Sequence, residues 1–178
     1  FNRIKNEPRY KNTLFVIVAD HTSTNALEEY RTIEKNFAIP LLFFAPGDDS
    51  LIGTYSSITQ QADVMPTVLD YLGYSKSFVA WGNSIFDEDT YRFAVNCRGT
   101  TPFIADSLHA LAFDGNKTLA WYNYIENKQI ELSENPLPVQ TDMENYFKAF
   151  IQNYEFRMIH NKLYDTLSLS EIALDEGI

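Results

Sequence analysis

Cysteine is almost missing from this chain: Cys97 is the one example in 178 residues. A single thiol excludes an internal disulfide framework and a zinc site built from cysteines alone. Basic residues are scarce too, 14 Lys and Arg against 24 Asp and Glu, for a formal net charge of −10. Sequence-independent binding of DNA or RNA needs surplus cations to neutralise phosphates, so nucleic acid is excluded as a partner on this count. The same charge argues against direct contact with an anionic membrane surface. No run of about 18 apolar residues occurs, and no membrane span is predicted. The opening FNRIKNEPRYKN has no initiator Met, signal peptide or cleavage site and reads as the end of an amphipathic helix. The chain is therefore expected to be a fragment of a longer protein.

What is present is the composition of a folded protein. It is 45% hydrophobic and carries 13 Phe, 11 Tyr and 2 Trp. That is enough for one packed domain, or one domain with a small appendage. Thr13 to Ala19 and IPLLFFAPG (39–47) are apolar runs of strand length, of the kind buried on both faces of a sheet. The polar segment 24–36 between them reads as a short helix or ordered excursion, so the pair predicts a parallel α/β sheet. Next, QQADVMPTVLDYLGY predicts a helix starting near Met65, with Pro66 in its first turn, Asp63 near its cap and Gly73 as C-cap.

After Gly82 the pattern changes to short strand-like runs: YRFAVNC, TPFIADS, LHALAFDG and KTLAWYNYI. DGNK (114–117) is a hairpin signal, because Gly and Asn tolerate positive φ. These runs predict an antiparallel meander. A long amphipathic helix over 141–163 should follow, opened by Thr141 and Glu144 at capping-box spacing.

The chemistry concentrates in FVIVADHTS (15–23), where a strand runs out into Asp20 and His21. Within an extended strand neighbouring side chains point to opposite faces, but where the backbone turns both can swing toward one point. A carboxylate with a neutral imidazole suits manganese or zinc, and magnesium less well. The alternative is that Asp20 caps the next segment and His21 is a loop residue. Two ligands also fall short of a complete site, which needs four or more.

Three blocks in order, NTLFVIVADHTS, IPLLFFAPG and QQADVMPTVLDYLG, resemble the C-terminal part of the alkaline phosphatase/sulfatase superfamily. The similarity is strongest to the branch of lipoteichoic acid synthase-like phosphoglycerol transferases, over roughly residues 10–90. The resemblance implies an α/β fold: a sulfatase-like sheet portion over 1–85, then an α+β subdomain over 86–178 with the meander and helix. It implies that Asp20 and His21 are metal ligands, with manganese the expected ion and zinc, magnesium or calcium as alternatives. The remaining ligands, including a nucleophilic Thr, would lie upstream of Phe1, so no catalytic residue is assigned within the chain. The implied activity is a phosphoglycerol- or phosphoethanolamine-type transfer acting on lipid or glycan phosphate esters outside the cytoplasm, in a parent anchored by membrane helices absent here. A sulfuric ester hydrolase is the alternative within the superfamily, and a non-catalytic folded module the alternative outside it.

The other chemistry-bearing residues read as structural. Cys97 is expected to be a strand-end thiol, His109 a structural or surface residue of the meander, and His160 a cation favoured by the helix C-terminus. Asp48 and Asp49 read as a solvated turn, although paired acids can bind a hard cation. Asp63 reads as a cap or a support for the site loop, and Thr67 as a packing position rather than a nucleophile. WYNY (121–124) could form a carbohydrate platform, but on an alternating strand it reads as packing.

Overall fold

The structure is a computed structural model that describes residues 1–22, 27–30, 35–126 and 128–164. The chain has mixed helix and sheet content and divides into two compact units, Phe1–Ser56 and Ser57–Ile178. The sequence reading divides it after residue 85 instead. The difference has a local cause: segment 57–85 is stitched to the meander unit by side-chain bonds. The Val95 N–H donates to Gln60 Oε1 at 3.2 Å, and Arg92 Nη1 donates to the Asn83 carbonyl at 3.3 Å.

In the first unit, β1 (Phe15–Val18) pairs with β2 (Leu41–Phe44). The pairing is antiparallel, with Phe15 opposite Phe44 and Ile17 opposite Leu42. The expected parallel sheet is overturned here, because an apolar run encodes a strand but not its direction. Burial on both faces is overturned as well. Among the described residues the ring packing lies at one end of the pair, where Phe15 and Phe44 stack at 5.8 Å and the rings of Phe1 and Tyr10 close around them. Toward the other end Ile17, Val18 and Leu42 are exposed. Of the segment expected to be a short helix or an ordered excursion, Glu28–Tyr30 forms a 3₁₀ turn, and residues 24–26 and 31–34 lie outside the described residues.

In the second unit a 3₁₀ turn, Gln61–Asp63, runs into α1 (Val64–Tyr71) with Pro66 in its first turn, where a missing N–H costs nothing. Gly73 follows with φ of 68°, the left-handed conformation that ends helices. The meander is β3 (Ala94–Arg98), β4 (Thr101–Ala105), β5 (His109–Phe113), β6 (Thr118–Asn123) and β7 (Lys128–Ile130), all antiparallel and in sequence order. The β5–β6 connection is the expected hairpin, with Gly115 at φ 98° and the Asp114 N–H bonded to the Lys117 carbonyl.

Register explains the core. Val95, Ile104, Leu111, Trp121 and Ile130 are successive cross-strand partners, so they form one row on one face of the sheet. Helix α2 (Pro138–Ile159) supplies Met143 and Phe147 to the same cluster. It begins three residues before the expected Thr141, with Pro138 at its start and no side-chain cap. The capping box is therefore overturned. Thr141 bonds back to the Leu137 carbonyl, and Glu144 instead accepts from Thr118 Oγ1 of β6 at 2.5 Å and from Lys148 Nζ at 2.5 Å.

Candidate metal site

Strand β1 ends at Val18, and two residues later the chain presents Asp20 and His21 side by side. Both are open to solvent, His21 at 80% and Asp20 at 89% side-chain exposure. Asp20 Oδ1 accepts the His21 N–H at 2.9 Å, which folds the carboxylate back toward its neighbour. Its other oxygen, Oδ2, then lies 3.7 Å from His21 Nε2. His21 Nδ1 sits 2.8 Å from the Thr22 carbonyl, which can only accept, so Nδ1 carries the proton. Nε2 is left with its lone pair available in the neutral ring. A carbonyl that fixes the tautomer in this way is the usual companion of a ligating imidazole. Thr22 itself is anchored through Oγ1 to the Asn36 carbonyl at 2.7 Å.

Protonation follows from the same contacts. The hydrogen bond to the Thr22 carbonyl, and then the nearby Asp20 charge, raise the His21 pKa above its ordinary value. A groove of about 600 Å³ opens beside the pair, lined by Ala19, His21, Thr22, Tyr30, Ala38 and Ile39.

The donor chemistry fits half of a divalent-ion site. Ligand atoms bound at about 2.1 Å to one ion stand roughly 3–3.6 Å apart in tetrahedral or octahedral geometry, close to the separation here. A complete site is not assembled: among the described residues no three His, Cys, Asp or Glu side chains converge.

The other candidates fall where packing puts them. Asp48 Oδ1 accepts from Ser50 N and Oγ at 3.0 and 2.6 Å, so it caps its own turn. Thr67 is fully buried, with Oγ1 donating to the Asp63 carbonyl at 2.6 Å. Asp63 heads α1 but does not cap it. Its carboxylate accepts the Gln60 N–H at 3.0 Å and the Asn83 N–H at 2.8 Å, supporting two loops at once. Burial pushes its pKa up, against the lowering effect of those two N–H groups and of Arg92. His109 stacks on Trp121 at 4.6 Å, and His160 ends α2 with Nδ1 2.8 Å from the Phe156 carbonyl. Cys97 lies near the end of β3 and is exposed. Trp121 is 1% exposed and belongs to the core, which leaves WYNY no platform role through that ring. Compared with protein-family models, curated proteins and solved structures, the chain matches none.

Proposed function

We propose that this chain carries half of the divalent-metal site of a phosphate-ester transferase of the sulfatase superfamily, with Asp20 and His21 as ligands. The observation that supports the reading is the 3.7 Å approach of Asp20 Oδ2 to His21 Nε2 at the end of β1, with Nδ1 bonded to the Thr22 carbonyl. The reading rests on this pair and on the sequence blocks around it, not on the sheet, whose antiparallel pairing departs from the resemblance.

A bound divalent ion, manganese by preference, would supply Lewis acidity at a phosphoryl oxygen. This chain's part is to hold it: Asp20 contributes charge, His21 a neutral nitrogen, and Thr22 keeps the ring in the ligating tautomer. Among the described residues no third His, Cys, Asp or Glu side chain joins the pair. In the parent enzyme the substrate is a lipid or glycan phosphate ester outside the cytoplasm.

The test is a manganese titration of the chain, followed by electron paramagnetic resonance of the free ion. Two protein ligands give weak binding, with a Kd on the order of 0.1–1 mM. Asp20→Asn and His21→Ala should each abolish it. Manganese binding that survives both substitutions overturns the assignment, as does no binding at about 10 mM ion. In a protein that also carries the upstream sequence, release of diacylglycerol from a phosphatidylglycerol substrate supports transfer. Turnover of an aryl sulfate alone moves the activity to ester hydrolysis.

A further inference from the structure

The second unit holds a groove of about 370 Å³ between segment 78–83 and α2. That volume lies in the range of small-molecule sites. Its walls are aromatic, and the rings lock one another in place. Phe93 meets Phe150 edge-on at 5.5 Å, and Trp81 meets Phe150 at 6.1 Å. Tyr146 closes on Phe93 at 5.0 Å. Three polar side chains complete the lining: Asn83, Asn153 and Arg157. Among the described residues no carboxylate lines the groove, although the chain as a whole carries ten excess negative charges.

The polar groups are held by bonds that leave part of each free to act. The Asn83 N–H donates to Asp63 Oδ1, and its carbonyl accepts from Arg92 Nη1 at 3.3 Å. Those bonds run through the main chain, so the carboxamide is left to the groove. Arg157 donates through Nε to Asn153 Oδ1 at 2.9 Å and through Nη1 to the Lys162 carbonyl at 3.1 Å. Its guanidinium plane is thereby fixed, with the Nη2 edge outside both bonds. A buried Asp63–Arg92 pair that pins one groove residue from both sides is the kind of support a preorganised site has.

The geometry points to a binding site for an anionic sugar: a pyranose ring carrying a carboxylate or a phosphate. The apolar ring face packs on the Trp81 wall. Paired hydroxyls exchange hydrogen bonds with the Asn83 carboxamide, which offers both a donor and an acceptor. The anionic group meets Arg157, whose planar fork suits carboxylate and phosphate alike. A purely apolar ligand would strip water from the Asn83 carboxamide and the Arg157 Nη2 edge and return no partner to them. A nucleotide carries more charge than one guanidinium balances. The site lies wholly within the second unit and is independent of the Asp20–His21 reading.

Tryptophan fluorescence of the full chain tests it. Trp121 is buried at 1% exposure, so a ligand response must come from Trp81 in the groove wall. Glucuronate and glucose 6-phosphate are the probes, with glucose and inorganic phosphate as controls. At least one probe should give a saturable change with a Kd on the order of 0.1–1 mM. Arg157→Gln should weaken it about tenfold and remove the preference over glucose. Asn83→Ala should weaken it several-fold with an unchanged circular dichroism spectrum, because the main-chain bonds remain. Whichever probe binds identifies the anionic group. The proposal is overturned if neither probe saturates by about 10 mM, or if glucose binds as well as the probes. It also fails if inorganic phosphate competes as well as glucose 6-phosphate, or if both variants bind as the parent does.

Discussion

In the second unit five strands line up Val95, Ile104, Leu111, Trp121 and Ile130 in one transverse row, and α2 sets Met143 and Phe147 against it. In the first unit two strands of equally apolar sequence leave Ile17 at 48% and Leu42 at 53% exposure. Hydrophobicity made a strand in both places; among the described residues a core formed only where a face had something to pack against. Each meander strand pairs with its sequence neighbour, and α2 packs against β5. The β1–β2 pair has one ring cluster at one end, which is little for a two-stranded sheet, marginal by itself in water.

Matched truncations separate the two units most sharply. Phe147→Ala removes a ring with no exposed surface and should cost about 3–5 kcal/mol in urea unfolding, whereas Leu42→Ala should cost under about 1 kcal/mol. Equal costs would mean that the two units are packed alike after all. Gly82→Ala comes next. A Cβ there would stand 2.2 Å from Asp63 Oδ1 and 2.6 Å from the Asp63 nitrogen, so a backbone must move. The expected loss is about 2–3 kcal/mol, read by the same urea titration, and a neutral substitution would show this corner to be loose.

The smallest effect is a pH dependence. Burial tends to raise the Glu144 pKa, but the hydrogen bonds from Lys148 and Thr118 outweigh it and hold the carboxyl below its ordinary value. A folded pKa below the unfolded one contributes stability that is present above pH 4.5 and lost as pH falls through the folded value. Glu144→Gln should therefore flatten the acid limb of the stability curve, by less than about 1 kcal/mol. An unchanged limb would mean that the tie between α2 and β6 contributes no pH-dependent stability.

The sequence carries the meander legibly because alternation and turn chemistry agree there. Gly115 marks the β5–β6 hairpin, and the apolar positions of β4 and β5 fall into register. Strand β7 escapes notice because Lys128–Ile130 is too short to alternate. The start of α2 is misjudged since Thr141 and Glu144 have the spacing of a capping box while Pro138 starts the helix earlier. Direction and burial of β1 and β2 are not written in a run such as FVIV, as partners decide both. At the candidate metal site, the position of Asp20 and His21 past a strand end is legible. The Thr22 carbonyl that orients the ring is a main-chain group, and residue type does not encode it.

Sheet order in the second unit is the order of the chain, and that bears on how the unit folds. Each strand can zip onto the one before it across a short turn, at little cost in loop entropy. The longer closures are those of the helix, whose Glu144 reaches Thr118 across 26 residues, and of segment 57–85, whose Gln60 accepts from Val95 across 35 residues. Loop-closure cost is thus concentrated in the docking of α2 and of segment 57–85, and the nascent meander keeps a bare apolar row until the helix has been synthesised.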